Sequence, residues 1–327
     1  MTVHVEQGTD VTFQYSLAGK EDTAIIHRSD YNHLRGLFDR ANPSEKDDAA
    51  FHKCLLKLLL RCCLSCSLIL SYNTVSGNVR GYQMALPTAV FQYLKDKYKL
   101  EHECFASPMN SCAAIGSFCS RFKDTDTPFN SKGSFFAFSP EEGVFESNPP
   151  FVEECMIRNI KHILVLLEKA EEEKKELTFF IIVPKWDEKD CKSYNLTVYT
   201  TPDRSTEDHN KFFVHRFVIN RNDHFYRNGM GYQDNYKVMS AKNDSLLLVL
   251  QSSAARERNP IDTKEFDRRV EEGWKKSCEE YQKEQKTNQW ERRSSKRDSY
   301  QLFDSRKRHS GDDRGRYSHS HDSKRRH

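Results

Sequence analysis

The chain has 327 residues and a formal net charge of +3, with 37% hydrophobic and 30% charged residues. That length suits one large domain, or a domain with appended segments. Ten cysteines with no leader-like pattern in Met1–Val5 read as reduced thiols, which excludes a disulfide-stapled secreted fold. The most apolar run, Leu55–Leu70, is broken by Lys57 and Arg61 and is too short to span a bilayer comfortably, so it reads as a buried helix.

Residues 1–35 are poorly patterned, with one alternating run around Val11–Tyr15. Phe51–Leu70 has helical composition. Within it Cys63-Leu64-Ser65-Cys66 has a zinc-type spacing but no second CxxC, so buried structural thiols are the better reading. Asn73–Gly81 reads as a loop. Leu86-Pro87-Thr88 opens a helix, because a first-turn proline gives up no needed N–H, and Val90, Leu94 and Tyr98 share one face. Glu103–Asn110 reads as a short strand running into a loop of small residues. Ala113–Phe122 reads as a second short helix and Asp124–Gly133 as a polar loop. Ser134–Phe138 and Gly143–Ser147 read as a strand pair around Ser139–Gly143.

After Phe151, apolar residues at Val152, Met156, Ile160, Ile163, Leu164 and Leu167 follow helical spacing, with Glu153 and Glu154 favourably placed in the first turn. Leu177–Val183 is a continuous apolar run of the kind buried on both faces, and it ends in Pro184-Lys185-Trp186. Phe212–Ile219 and Ser245–Leu250 read as strands, and Asp262–Trp290 as a charged helix. From Gln282 onward aliphatic residues almost vanish and the net charge is about +7. Such a segment buries too little apolar surface to fold, and its Arg/Lys clusters suit loose RNA contact or a nuclear address. The alternation of strands and helices with short loops implies an α/β sheet.

Asn148-Pro149-Pro150-Phe151 carries the chemistry. It sits between a strand and a helix, where open α/β sheets place their ligands. The Asn148 side-chain oxygen and the Pro149 carbonyl can each accept a hydrogen bond from an exocyclic –NH2 group. Pro150 stiffens the turn. Phe151 offers a flat face for an unstacked base. These residues point to Asn148, Pro149, Pro150 and Phe151 as the catalytic loop, with Phe151, Trp186 and Lys185 as substrate contacts. Arg121, Lys123, Lys132, Lys185, Arg216 and Arg227 are candidate phosphate contacts. The histidines show no metal or triad spacing, and no serine or cysteine nucleophile motif is present.

Several segments in order, Cys104–Asn110 (CFASPMN), Asp124–Asp126 (DTD), Gly143–Glu154 (GVFESNPPFVEE), Phe179–Trp186 (FFIIVPKW), His224–Gly229 (HFYRNG) and Ser245–Gln251 (SLLLVLQ), resemble the catalytic domain of the phosphorylated CTD-interacting factor 1 family. The resemblance runs from about Phe51 to Ala255. It implies a Rossmann-like class I S-adenosylmethionine-dependent methyltransferase fold with a short N-terminal helical extension and a disordered C-terminal tail. It also implies S-adenosyl-L-methionine as cofactor, held by Phe105, Ala106, Ser107, Pro108 and Asn110. The activity implied is N6-methylation of adenosine in RNA, at the cap-adjacent adenosine of capped mRNA, in the nucleus, with the phosphorylated RNA polymerase II C-terminal domain as a further partner. Two departures stand out: no two-tryptophan module precedes Phe51, and Ala137 stands where the family pattern has Asp. The expected layout is an N-terminal extension over 1–50, a methyltransferase domain over 51–260, a charged helix over 261–290 and a disordered basic tail over 291–327. DNA adenine, a glutamine amide, or a non-catalytic nuclear binding module on the same fold remain as alternatives.

Overall fold

The computed structural model describes residues 2–4, 10–17, 19–45, 47–72, 84–186, 210–228, 238–280 and 282–283, and the elements below are those of the described residues. The Asn73–Gly81 loop, the Cys63 and Cys66 side chains and the tail over 291–327 lie outside them. The chain divides into two compact units, Met1–Glu279 and Glu280–His327, and the first carries the fold.

The N-terminal extension that the resemblance implies to be helical opens instead with a sheet. Strands β1 (Thr2–His4), β2 (Asp10–Leu17) and β3 (Lys20–His27) form an antiparallel sheet in the order β1-β2-β3. Helices α1 (Arg28–Ala41) and α2 (Asp48–Tyr72) follow. Val11, Phe13, Ile26, Leu34, Leu37, Phe38, Phe51, Leu55 and Leu58 close a core between them. The alternation is visible on β2 alone. On β3, Ile26 is buried but Ile25 is 54% exposed, so the period-2 pattern is masked. None of the described helices is long and apolar enough to cross a membrane.

Strand β4 (Met84–Ala85) leads into α3 (Thr88–Tyr98), which begins at Pro87 as expected and buries Val90, Phe91, Leu94 and Tyr98. Strand β5 (His102–Glu103) follows. The helix expected over Ala113–Phe122 does not form. Gly116 has φ +69 and lies against the Arg40 guanidinium, which sits 3.0 Å from where a Cβ would be. Phe118 is extended, bridging Glu103 on one side and Ser131 on the other in parallel. Its ring is fully buried in the N-terminal core, and that long-range demand overrides local propensity. The expected Asp124–Gly133 loop opens with a one-turn helix α4 (Lys123–Asp126) and a 3-10 turn over Thr127–Phe129.

The expected hairpin of Ser134–Phe138 with Gly143–Ser147 is also absent. Phe135–Ala137 is a 3-10 turn capped by Ser134, whose Oγ accepts from the Phe136 N–H. Strand β6 (Gly143–Ser147) pairs in parallel with β5 and with β7 (Leu177–Pro184) instead. Between β6 and β7 runs α5 (Glu153–Glu172). Strand β8 (Phe213–Ile219) pairs antiparallel with β11 (Ser245–Gln251), and β11 pairs antiparallel with β7. Strands β9 (Phe225–Asn228) and β10 (Val238–Ser240) make a separate small sheet with β4, in the order β10-β9-β4. Helix α6 (Ser253–Arg258) and a helix α7 over 263–280 complete the described chain.

The main sheet runs β5-β6-β7-β11-β8, and the parallel bridges of Phe118 and Ser131 extend it beyond β5. All eight residues of β7 are buried, as its unbroken apolar run requires. Phe179, Ile181 and Val183 pack with Met156, Ile160, Ile163 and Leu167 of α5. Phe180 and Ile182 face the other way, onto Phe91 and Leu94 of α3 and Phe266, Val270 and Trp274 of α7. The sheet is therefore covered on both faces. Helix α7 comes close enough to α3 that a Cβ on Gly273 would meet Val90 Cγ2 at 2.9 Å.

Candidate active site at the sheet switch point

From β5 the chain winds outward through Phe118 to Ser131. It then returns beside β5 as β6 and winds the opposite way to β7. Strand order therefore reverses between β5 and β6. A cleft opens at the carboxyl ends of strands where such a reversal occurs. The two sequence motifs are the loops that leave these two strands.

The first loop is held from within. Asn110 Oδ1 accepts from Ser107 N at 2.7 Å and Ser107 Oγ at 3.0 Å, while Asn110 N and Ser111 N donate to Ser107 O. Ala106 N donates to Cys119 O at 2.9 Å, tying the loop to the neighbouring extended segment. Met109 is buried in the N-terminal core, and Ala106 packs against that core. Phe105 is half-buried and meets the Phe135 and Phe136 rings edge-on. Pro108 presents its carbonyl to His33 of α1 at 3.1 Å.

The second loop starts at Ser147, whose hydroxyl donates to Asn159 of α5 at 2.9 Å. Asn148 is buried, and its Nδ2 donates to the Met84 carbonyl of β4 at 3.0 Å. A carbonyl can only accept, so the amide orientation is fixed and Oδ1 is left as the acceptor on the other side. Pro149 is buried and Pro150 half-buried, and α5 starts two residues after Phe151. Phe151 lies between the two cores of the sheet, with its ring edge-on to Tyr226 at 6.2 Å.

Trp186 is half-buried just beyond β7 and packs on the same core as Phe105 and Phe151. Aromatic rings thus follow the carboxyl ends of β5, β6 and β7. Lys185 is half exposed, and its Nζ lies 3.9 Å from Asp244, so its charge already has a neighbour. Of the other basic candidates, Arg121 lies over the Phe122 ring. Arg158, singled out by no motif, lies 4.0 Å over Phe136.

Four groups escape sequence inspection. Met84 supplies the carbonyl that orients Asn148, and His33 touches the first loop. Glu103 and Glu146 face each other across the parallel β5–β6 pair and are 2% and 1% exposed. An acid inside each of two short strands was the available signal. Glu103 accepts from Cys112 N at 2.7 Å, while Glu146 Oε1 is buried with no hydrogen-bond partner. Burial pushes Glu103 up to about 8, against the weaker pull of the Cys112 N–H and Arg227. Burial, and then Glu103 itself, hold Glu146 well above the usual carboxylate range.

These acids make stability pH-dependent. Between the unfolded value near 4.5 and the folded value of about 8, native Glu103 keeps a proton that the unfolded chain has lost. Stability from this group is therefore complete below pH 4.5 and falls as pH rises toward 8, by ~1.4 kcal/mol per pH unit at most. Glu103→Gln keeps the Cys112 contact without the charge. Its stability relative to the parent chain is expected to rise between pH 5 and pH 8 in urea melts; a difference independent of pH would show that Glu103 titrates normally.

A mixed α/β sheet with two polar, aromatic-flanked loops leaving adjacent parallel strands at one strand-order reversal defines a mixed α/β domain with a candidate site at that reversal. The chain belongs to the phosphorylated CTD interacting factor 1 family: the family model described as "Phosphorylated CTD interacting factor 1 WW domain" matches residues 33–229. Those residues contain a single tryptophan, Trp186. The chain is 33% identical over 183 residues to the proteins named mRNA (2'-O-methyladenosine-N(6)-)-methyltransferase of Mus musculus and Homo sapiens, covering 56% of this chain and 23% of each relative. It thus spans about a quarter of the length of these curated relatives.

Proposed function

We propose that this chain is a Rossmann-like, S-adenosylmethionine-dependent methyltransferase acting on N6 of adenosine in RNA, with the cap-adjacent adenosine of mRNA as its target. The observation that carries the proposal is the convergence of the Phe105–Asn110 and Asn148–Phe151 loops at one switch point, with Asn148 oriented by Met84. The outward winding from β5 and β6 in both directions supports the doubly wound reading. The names of the two relatives supply the substrate class.

The residues fit such a cofactor. The donor carries N–H and O–H groups that need acceptors, and Glu146, just before the second loop, has a buried side-chain oxygen with no hydrogen-bond partner. Phe105, Ala106, Ser107, Pro108 and Asn110 would hold it. When bound it supplies an electrophilic methyl group.

The remaining work falls to the chain. The exocyclic amine of adenine is a poor nucleophile because its lone pair is delocalised into the ring. Asn148 Oδ1 and the Pro149 carbonyl accept its two N–H bonds, favouring a pyramidal nitrogen with its lone pair aimed at the methyl. Asn148 is neutral, so it takes no proton, which leaves to water after transfer. Catalysis is then mostly positioning. Phe151 stacks on the base, an interaction of about 1–3 kcal/mol. Trp186 is a second wall.

The test is methyl transfer from radiolabelled donor to capped RNA, uncapped RNA and DNA in parallel, with the product nucleoside identified. Labelled N6-methyladenosine from capped RNA is expected. No donor binding by folded protein would sink the enzyme reading.

Capped RNA is the partner proposed, in the nucleus. A contact with the phosphorylated polymerase tail is what the family's name suggests. Deleting the chain after residue 290 is expected to leave the melting temperature and in vitro transfer unchanged, while weakening RNA binding at low salt and nuclear accumulation. Clustered Lys and Arg displace counterions, so the loss should shrink steeply as salt rises. A markedly lower melting point would mean that the tail docks on the domain.

A further inference from the structure

His33 lies on α1, 75 residues before the loop it touches. Its Nε2 is 3.1 Å from the Pro108 carbonyl and 3.4 Å from Ser111 Oγ. Because a carbonyl only accepts, Nε2 carries the proton and donates. Burial, with Arg227 and then Arg40 nearby, pushes the ring down to about 4 despite the Pro108 bond, so it is neutral at ordinary pH. The neutral tautomer with hydrogen on Nε2 is the one this contact requires.

The loop has other restraints, and they act elsewhere. Asn110 closes the turn from inside, and Met109 anchors it behind in the N-terminal core. Pro108 has no N–H, so its carbonyl is the one backbone hydrogen-bonding group it has. The hold on that carbonyl comes from a different layer of the protein. Asn42, one residue past α1, likewise donates to the Pro128 carbonyl at 2.9 Å, and Arg40 lies against Gly116. One helix thus grips three turns on this side of the sheet.

We propose that His33 is a positioning residue, whose Nε2–H clamps the Pro108 carbonyl and sets the loop geometry in which S-adenosylmethionine binds, making the N-terminal layer part of the cofactor site. The proposal rests on the methyltransferase reading above. His33 touches neither reacting group. It acts through the loop, so its removal should weaken cofactor binding and leave the bound reaction alone.

The experiment uses the full chain with S-adenosylmethionine as probe. Calorimetric affinity, the split of kcat and KM for the donor, and amide exchange over 105–111 without ligand are compared in four variants. His33→Ala and His33→Met remove the donor, the latter while filling the space. His33→Gln restores an N–H donor. Ile26→Val loosens the N-terminal core without touching the loop. The non-donor variants are expected to bind about five- to tenfold more weakly, as loss of one buried neutral hydrogen bond implies. KM for the donor should rise in step, kcat should hold, and exchange at 105–111 should quicken. His33→Gln should recover most of the affinity, and Ile26→Val should lower only the melting temperature. Unchanged affinity and exchange in His33→Met, no recovery with Gln, or equal weakening by Ile26→Val would each overturn the clamp. If the folded parent chain binds no donor, the methyltransferase reading fails, while unchanged exchange at 105–111 in His33→Met would refute the clamp by itself.

Discussion

Asn148→Ala is expected to lower methyl transfer by about 10²-fold or more, because a small misplacement of the attacking amine is enough to cost that factor. The variant removes the Oδ1 acceptor and frees the Met84 carbonyl, which now takes up the other half of the amide at 3.0 Å. It removes little apolar area, so stability and donor affinity should change little. Asn148→Asp sharpens the test. A carboxylate cannot donate to Met84, so the side chain must turn or repel, and the anchored orientation is lost even though acceptor oxygens remain. Both variants should therefore fail in single-turnover assays at saturating donor, with calorimetry showing the donor still bound. Activity near the parent level in Asn148→Ala would show that the amine is held by other groups.

Trp274→Ala is expected to destabilise the first unit by about 3–5 kcal/mol, the usual range for removing a fully buried large aromatic. Trp274 is fully buried on α7 within the core that also holds Phe180, Leu247 and Phe266. Its Nε1 donates to the Phe225 carbonyl at 3.1 Å, and its ring lies edge-on to His224 at 5.8 Å. Phe225 begins the strand that carries Tyr226, the neighbour of Phe151. The lost hydrogen bond therefore loosens a wall of the candidate site as well as emptying a cavity. Lys276→Ala, an exposed change two residues on, should stay within about 0.5 kcal/mol. Urea melts measure both. A loss below about 1 kcal/mol for Trp274→Ala would mean that α7 does not close this core, since even modest cavities cost more.

Most of the central layer could be read from local pattern. Leu177–Val183 is apolar at every position, and only a strand buried on both faces uses such a run. The 3.6-residue spacing from Met156 to Leu167 gives α5, and Pro87 marks the start of α3. The NPPF and FASPMN segments announce themselves as loops by their proline and small residues. The sequence by itself therefore determined where two candidate loops fall and which strands and helices carry them.

Tertiary structure decided the rest, because partners distant in sequence make those choices. Phe118 pairs through single bridges and buries its ring under helices α1 and α2, so no local period reveals it. Phe135 and Phe136 carry strand propensity but turn in a 3-10 helix, since β6 finds its pairing partners in β5 and β7. The N-terminal sheet hides behind the weak alternation of β3. Asn148 is aimed by a carbonyl 64 residues earlier, and the first loop meets a histidine 75 residues before it. Glu103 and Glu146 become a buried pair only when two parallel strands, separated by a long crossover, lie side by side. Local composition encodes an element's periodicity and its ends; burial of a polar group depends on which other element arrives beside it, and that is settled only when the layers close.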